Sequence, residues 1–429
     1  MTVEGANPGS TKRPKVLALH QRTSLAWLFN SATAAGFDVV LVPLDTEKSV
    51  SRDQLPPCVT DVVWADYTQD LDHLVGFLAT VIAEHAIDGV LACHEDSVAL
   101  AARLAEACGL PGISPATADI LRDKGTFRSA LDDGGLNVPR FAAGTAEDGL
   151  LEASASLRFP AVVKPVDGYS SAGVIRVDRH ELLPEAIASC QEAARPLREQ
   201  LGITAQRLVV EEFLDGVELA VESLSYAGET QILAIGFKGQ PAGPYFEESV
   251  YQAPARLDEE LLELVRNEVV SAHRHVGIGW GPTHTELRLG PGGQPYILEI
   301  GGRVGGSGVS HYIVQASTGV DYFGEVLAAA VGREPEVMNV AEIRTLAAAG
   351  NYIVQCQGSG VFQEVEGLSE IGTDPRVDLV VSTMQRGHLV KPYPEFSGYP
   401  GFVLSRHDDI DDLEVFHRQL DDRIKVVFQ

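Results

Sequence analysis

Short apolar blocks alternate in this chain with longer stretches whose apolar positions recur every three or four residues. KVLALHQ (Lys15 to Gln21) and FDVVLVPL (Phe37 to Leu44) predict two buried strands, with a helix between them that ends at Gly36. IDGVLACHEDS adds a strand that runs into the amphipathic VALAARLAEACGL, stopped by Gly109. Strand–helix alternation of this kind predicts a small parallel α/β unit up to about Ser114. No G-x-G-x-x-G follows the first strand, so the pattern does not point to a dinucleotide site there.

Beyond Pro111 and Pro115 the pattern changes. DKGTFRSALDDGG predicts a short helix capped by Asp123 and ended by Gly134-Gly135. From Phe159 to about Ile300 strand–turn–strand units dominate, broken by the helical HELLPEAIASCQEAARPLREQ and DEELLELVRNEVVSAHRHVG. Such units with covering helices predict α+β layers. A helix, YFGEVLAAAVG, follows Gly319, and a strand-rich C-terminal region follows it. There is no internal repeat and no low-complexity tract.

A chain of 429 residues is too long for one ordinary core, so two to four domains are expected. Its 60 acidic and 33 basic residues give a net charge of −27, which repels nucleic acid and anionic membranes at long range. Neither is an expected partner. The polar N-terminal residues lack a following apolar segment, and no run of about 18 apolar residues occurs. Five scattered cysteines without C-x-x-C spacing read as reduced thiols, so a cytoplasmic protein is expected. An acidic chain that handled anions such as nucleotide phosphates would need a local cationic site or a metal.

Four stretches could carry such chemistry. GPTHTELRL (281–289) places His284, Glu286 and Arg288 on one face; GPGG is a turn signal, and PYILEI (295–300) is the return strand. Symmetry about Gly292-Gly293 sets Glu286 directly opposite Glu299. Cross-strand neighbours lie roughly 5 Å apart, and at an effective dielectric of about 20 two carboxylates there repel by roughly 3 kcal/mol. Protonation, solvent exposure or a bound cation would relieve this. Hard oxygen ligands favour Mg²⁺, whereas the plain alternative is an exposed hairpin face.

In FPAVVKPVDGYSSAGVIRV (159–177) a buried strand ends at Lys164, and a Gly/Ser loop follows. Its N–H groups and the Ser170 and Ser171 hydroxyls could cover phosphates, with Lys164 as point charge; an ordinary hairpin is the alternative. RLVVEEFLDGVELAVESL (207–224) reads as two strands joined around Asp215-Gly216, with Glu211, Glu212 and Glu218 flanking the turn. Carboxylates there could accept from an adenine amino group or ribose, while the Leu214 backbone reads the ring edge. Last, IGGRVGGSGVSHYIVQASTG combines Arg303 with Gly305, Gly306 and Ser307 and opens a helix whose N-terminus favours anions. Of the remaining residues, Glu95 in CHEDS follows a strand of the first unit and could recognise an amino group, and His284 could border the pocket. YFEESVYQAP (245–254) could wall it, and the acidic RHDDIDDLE reads as a solvated face.

The order Lys124, Lys164 with its loop, EEFLDGVE, HTELRL and EIGGRVGG resembles the ATP-grasp superfamily, and within it most resembles the bacterial L-amino-acid ligases, which are carboxylate–amine ligases. The resemblance implies a Rossmann-like N-terminal parallel α/β domain (1–114). A central α+β lobe with the phosphate loop would occupy 115–208, and a C-terminal α+β lobe with the metal and substrate site and a strand-rich extension 209–429. The two lobes would enclose ATP. It further implies that Lys124 and Lys164 contact phosphates, that Glu211 and the Leu214 backbone meet adenine, and that Glu218 holds ribose. Glu286 and Glu299 would ligate Mg²⁺, loop 168–173 would close over the phosphates, and Arg303 would stabilise the acyl phosphate. Many relatives carry Asn two residues after the second metal glutamate; here Gly301 stands there, and the amino-acid-ligase branch also tends to lack this Asn and retain the Arg.

The activity so implied is ATP-dependent joining of amino acids through an acyl phosphate, releasing ADP and phosphate, with a place in natural-product biosynthesis. A homodimer is expected by analogy. Alternatives are another acceptor, bicarbonate or a thiol, and a nucleotide-binding regulator without chemistry. The carboxylase-type Arg-x-x-x-Glu-His signature is absent after Arg303. The residues do not name the two substrates.

Overall fold

A computed structural model describes residues 12–20, 28–43, 55–146, 149–168, 173–201, 206–239, 249–356, 358–391 and 398–429. The first unit comprises β1 (Lys15–Leu19), α1 (Leu28–Ala34), β2 (Asp38–Val42), β3 (Val59–Val62), α2 (Leu71–His85), β4 (Gly89–Ala92) and α3 (Val98–Cys108). Its strands form a parallel sheet in the order β3-β2-β1-β4. Continuous apolar strands fit a sheet covered on both faces: Leu17, Leu19, Val40 and Val42 pack under α2 and α3, whereas Val16, Ala18, Val39 and Leu41 pack with Phe29 on the other side. Gly109, at φ 65°, supplies the left-handed residue that ends α3.

The second unit begins as a helix where the sequence showed only prolines. Ser114 caps α4 (Pro115–Arg122), with Pro115 at a first-turn position where no N–H is needed. Asp123 then caps α5 (Lys124–Asp133). Next come β5 (Phe141–Gly144), α6 (Leu150–Ala153), β6 (Ala161–Pro165), β7 (Ile175–Val177), α7 (Leu183–Leu201) and β8 (Leu208–Glu212). The sheet order is β5-β8-β6-β7, so β8 is an inner strand and the expected lobe boundary at 208/209 falls inside it. We place the division after Glu212.

The third unit holds β9 (Glu218–Tyr226), β10 (Glu229–Phe237), β11 (Val250–Ala253), α8 (Glu259–Val276), β12 (Gly281–Leu289), β13 (Pro295–Gly301), α9 (Val309–Thr318) and α10 (Tyr322–Ala330). It continues through β14 (Ala348–Ile353), β15 (Gly360–Glu366), α11 (Leu368–Ile371), β16 (Val377–Ser382), β17 (Leu389–Val390), β18 (Gly401–His407), α12 (Ile410–Arg423) and β19 (Lys425–Phe428). Eight strands run in the order β13-β12-β9-β10-β11-β14-β18-β16, and β17-β15-β19 form a small separate sheet. The acidic run near residue 409 is not merely a solvated face. Asp409 caps α12, and the Asp412 carboxylate lies 2.7 Å from His407 Nδ1, as expected of aspartates at a helix start.

Two local features set the site. Near the turn, Leu289 faces Pro295 and Leu287 faces Ile297, a register one residue short of the expected one. An extra residue in β13, Leu298, shifts the ladder so that Glu286 does face Glu299. Without that bulge the two glutamates would point to opposite faces. The second feature corrects the reading of Asp215-Gly216 as the turn of two joined strands: β8 and β9 lie in different sheets, so this segment crosses between lobes. A Cβ at Gly216 would stand 1.9 Å from the Leu289 carbonyl oxygen. Gly216→Ala should therefore destabilise the protein by about 1–3 kcal/mol, the usual range for overpacking against fixed atoms. Chemical denaturation measures this, and wild-type stability would show that the crossover yields freely.

Candidate functional site

The N-terminus of α5 and the end of β6 each deliver a lysine to one seam. The Asp123 carboxylate accepts from Thr126 N–H at 2.8 Å and also pairs with Arg207, while Lys124 N–H donates to the Val166 carbonyl at 2.8 Å. These contacts fix the start of α5. Lys124 Nζ then donates to the Gly168 carbonyl at 3.1 Å and lies 3.2 Å from Glu299 Oε1. Lys164 donates to Glu211 Oε1, and Arg128 Nε donates to Glu211 Oε2 at 2.9 Å. All three side chains are buried. Burial opposes the Glu211 charge, but Arg128 and Lys164 hold its pKa down at about 2; burial pushes Lys164 down to about 8 against the pull of Glu211.

The opposing glutamates have cations too. Lys238, at the end of β10, donates to Glu286 Oε1 at 2.5 Å, and His284 Nε2 lies 3.4 Å from the same oxygen. Burial works against charge on Glu286, yet Lys238 and His284 hold it well below the ordinary carboxylate range. Behind it lies Glu222, which is fully buried. Its Oε1 receives Ser310 Oγ at 2.6 Å, Tyr251 OH at 2.7 Å and His284 Nδ1 at 2.7 Å. Further along the same face, Arg288 donates to Glu218 Oε2 from Nε at 2.9 Å and from Nη2 at 2.7 Å, and its Nη1 reaches the Leu214 carbonyl at 2.9 Å. Burial leaves the Glu218 carboxyl raised despite Lys238 and Arg288.

Arg303 closes the seam from the side of the first unit. Its Nε donates to Glu95 Oε2 at 2.8 Å and its Nη1 to the Val304 carbonyl at 3.1 Å; Arg122 Nη1 lies 3.3 Å from Glu95 Oε1. Glu95 thus joins two arginines, and these hold its pKa low although burial opposes them. The glycines beside Arg303 have local causes. A Cβ at Gly301 would meet Glu95 Oε2 at 3.1 Å, one at Gly302 would meet Val98 Cγ1 at 3.3 Å, and one at Gly305 would stand 1.8 Å from Ser310 Oγ. Protein atoms already crowd those three positions. Gly306 alone of the four has open space at its Cβ position.

The structure therefore brings together Lys124, Lys164, Glu211, Glu218, Glu286, Glu299, His284, Glu95, Arg303 and the Leu214 backbone. It does not bring Glu212, whose Oε1 accepts from Arg158 N–H at 2.9 Å and lies near Arg140 on the opposite face of β8. Ser170 and Ser171, with the rest of loop 169–172, lie outside the described residues, as does the part of the 245–254 stretch up to 248. Ser307 starts the short 3₁₀ turn before α9 together with Gly306 and Gly308. Arg128, Lys238, Glu222 and Arg122 were not legible as site residues. Signals could have found the first two: Arg128 follows Lys124 by one helical turn, and Lys238 ends an apolar strand just as Lys164 does.

The donor set suits a hard divalent cation. Glu286 and Glu299 oppose each other in register, each about a quarter exposed at 27%, and each meets a lysine. Among the described residues no third His, Cys, Asp or Glu completes a protein cage. Two carboxylates alone match a magnesium ion that takes its other oxygens from phosphates and water.

Comparison with known proteins gives this geometry its family. Residues 157–311 match the ATP-grasp domain, residues 29–112 the ATP-grasp N-terminal domain, and residues 353–429 the L-amino acid ligase C-terminal domain 2. The L-amino acid ligase of Bacillus licheniformis has the same fold at a TM-score of 0.88 and 37% identity, over 98% of this chain and 100% of that one. Alanine–anticapsin ligase of Bacillus subtilis strain 168 is 24% identical over 57% of this chain and 55% of its own length. The y4rH protein of Sinorhizobium fredii is 25% identical over 79% and 68%. Fold and seam together define an ATP-grasp protein, of the class of ATP-dependent ligases that form C–N bonds. Within that class the chain belongs to the L-amino-acid ligase family. Its alignment spans about half the length of the alanine–anticapsin ligase. Among the described residues no helix is long and apolar enough to cross a membrane.

The buried Glu211 gives a stability prediction with a definite sign. Its folded pKa lies below its unfolded value, so its contribution is present above about pH 4.5 and is lost as pH falls towards about 2. The stability difference between wild type and Glu211→Gln, from urea unfolding, should shrink steadily over that window. A difference that stayed constant from pH 6 to pH 3 would show that Glu211 carries no special charge in the fold.

Proposed function

We propose that the protein joins two amino acids, or an amino acid and a related amine, at the expense of ATP. The carboxylate oxygen of one substrate attacks the γ-phosphorus; that O–P bond forms as the bond to the β-phosphate oxygen breaks, and ADP leaves. The amine nitrogen of the second substrate then attacks the acyl carbon, the C–O bond to phosphate breaks, and the amine proton is lost to solvent. The observation that carries this reading is the opposed Glu286/Glu299 pair with Lys124 joined at once to Glu299 and to the Gly168 carbonyl at the phosphate loop. It supports a place where phosphate oxygens, a metal and a cation meet.

In this reading the protein's work is positioning and charge stabilisation. Lys124 and Lys164 bind phosphate oxygens. Arg288, by joining Glu218 to the Leu214 carbonyl, orders the crossover on which adenine and ribose would lie. Glu286 and Glu299 would hold magnesium, which supplies neutralisation of phosphate charge when bound. Arg303, fixed through Nε by Glu95, presents a planar cation to the acyl phosphate. Two amino-acid substrates in a soluble cytoplasmic dimer complete the proposal.

Product analysis tests it directly. With paired amino acids the protein should release ADP and phosphate and require the carboxylate substrate; AMP with pyrophosphate would sink the acyl-phosphate route and indicate adenylation. Because the charge Arg303 meets grows during phosphoryl transfer, Arg303→Lys should lower kcat by about a hundredfold or more with little change in nucleotide affinity. A near-normal kcat with a raised KM for one amino acid would make Arg303 a substrate anchor instead.

A further inference from the structure

Among the described residues Arg128 is the largest fully buried side chain, and it lies one helical turn beyond Lys124 on α5. Only its Nε has a hydrogen-bond partner among the described residues, Glu211 Oε2 at 2.9 Å; Nη1 and Nη2 are buried without one. Burying a guanidinium on a single carboxylate oxygen is costly, because removing such a charge from water requires full pairing to break even. The other oxygen of that carboxylate holds Lys164. Arg128 therefore shares the carboxylate that pairs with Lys164.

Charge counting shows the consequence. A Lys164–Glu211 pair alone would be neutral and would attract phosphate weakly. With Arg128 present the buried trio carries one net positive charge. Among the described residues the charged groups that act most strongly on Lys164 are Glu211 from β8 and Arg128 and Lys124 from α5. Two cations thus oppose one anion, in an environment where screening is weak.

We propose that Arg128 is a positioning residue for the nucleotide site: by taking half of Glu211 it leaves Lys164 oriented yet incompletely neutralised, and so available to a phosphate. The proposal rests on the ATP-ligase reading of the seam but needs neither of the amino-acid substrates. The lowered Lys164 pKa of about 8 accords with it, since burial is the leading cause and Arg128 adds to it.

Equilibrium binding of magnesium β,γ-imido-ATP to the full chain, followed by calorimetry from pH 6.5 to 10, tests it without turnover. In the wild type, affinity should fall on the alkaline side with a midpoint near pH 8 as Lys164 loses its proton. Arg128→Met should weaken binding at neutral pH by about tenfold and move that midpoint up by about one pH unit, because a cation beside Lys164 is gone. Arg128→Lys, which keeps the charge, should restore both. Weaker binding with an unmoved midpoint, or unchanged binding, would overturn the proposal and leave Arg128 a packing residue. If Arg128→Met does not fold, Arg128→Gln takes its place with the same two readouts: weaker binding with a raised midpoint supports the proposal, and an unmoved midpoint overturns it. Failure of the unmutated chain to bind nucleotide at any pH would instead overturn the functional reading and this inference together.

Discussion

Two carboxylates held opposite each other on paired strands are the constraint from which the site follows. Glu286 and Glu299 face one another only because Leu298 is an extra residue in β13. A bulge disrupts a ladder, and cross-strand like charges are unfavourable. Such an arrangement persists when cations meet it, and the structure brings one to each member: Lys238 from β10 and Lys124 from α5. Lys124 belongs to a different lobe from the strand it meets. The repulsion on β12 and β13 is therefore relieved in part by an interaction that draws the lobes together.

The same logic spreads outward. Lys238 and His284 both reach Glu286, His284 is turned by the buried Glu222, and Glu222 is anchored by Ser310 at the first turn of α9. On the other flank Arg303, two residues beyond β13, reaches into the first unit for Glu95, which Arg122 also holds. Each buried charge is answered by one from another element, as a low-dielectric interior requires. The glycines at 301, 302 and 305 are the steric counterpart of this electrostatic closure, because side chains from several elements crowd the backbone there.

Much of this was legible in the sequence, and the gaps have physical causes. Helix ends were readable because Gly109 and Asp123 act through local backbone geometry. The glutamate pairing was readable from the turn, though for an incomplete reason: the turn-proximal register is off by one residue, and a bulge that no local signal announces restores it. Asp215-Gly216 misled because a turn signal reports a change of direction and not which sheet receives the next strand. Glu212 misled because two adjacent glutamates on a strand must face opposite ways, and only burial shows which one faces the seam. Arg128, Glu222 and Lys238 escaped notice because their roles depend on partners 83, 62 and 48 residues away.

The charge of the whole chain bears on why the seam is so densely paired. With a net charge of −27, the exterior repels a polyphosphate on approach, so attraction must come from cations near the nucleotide. Exposed lysines would be screened by salt over about 10 Å and offset by neighbouring carboxylates. Buried ones are screened far less, but they need anionic partners to remain charged, and every partner subtracts from the attraction they can offer. Sharing one carboxylate between two cations, as Lys164 and Arg128 share Glu211, satisfies both demands at once: the lysine is held in place and positive charge is left over. An acidic protein can in this way keep a cationic interior without a cationic surface.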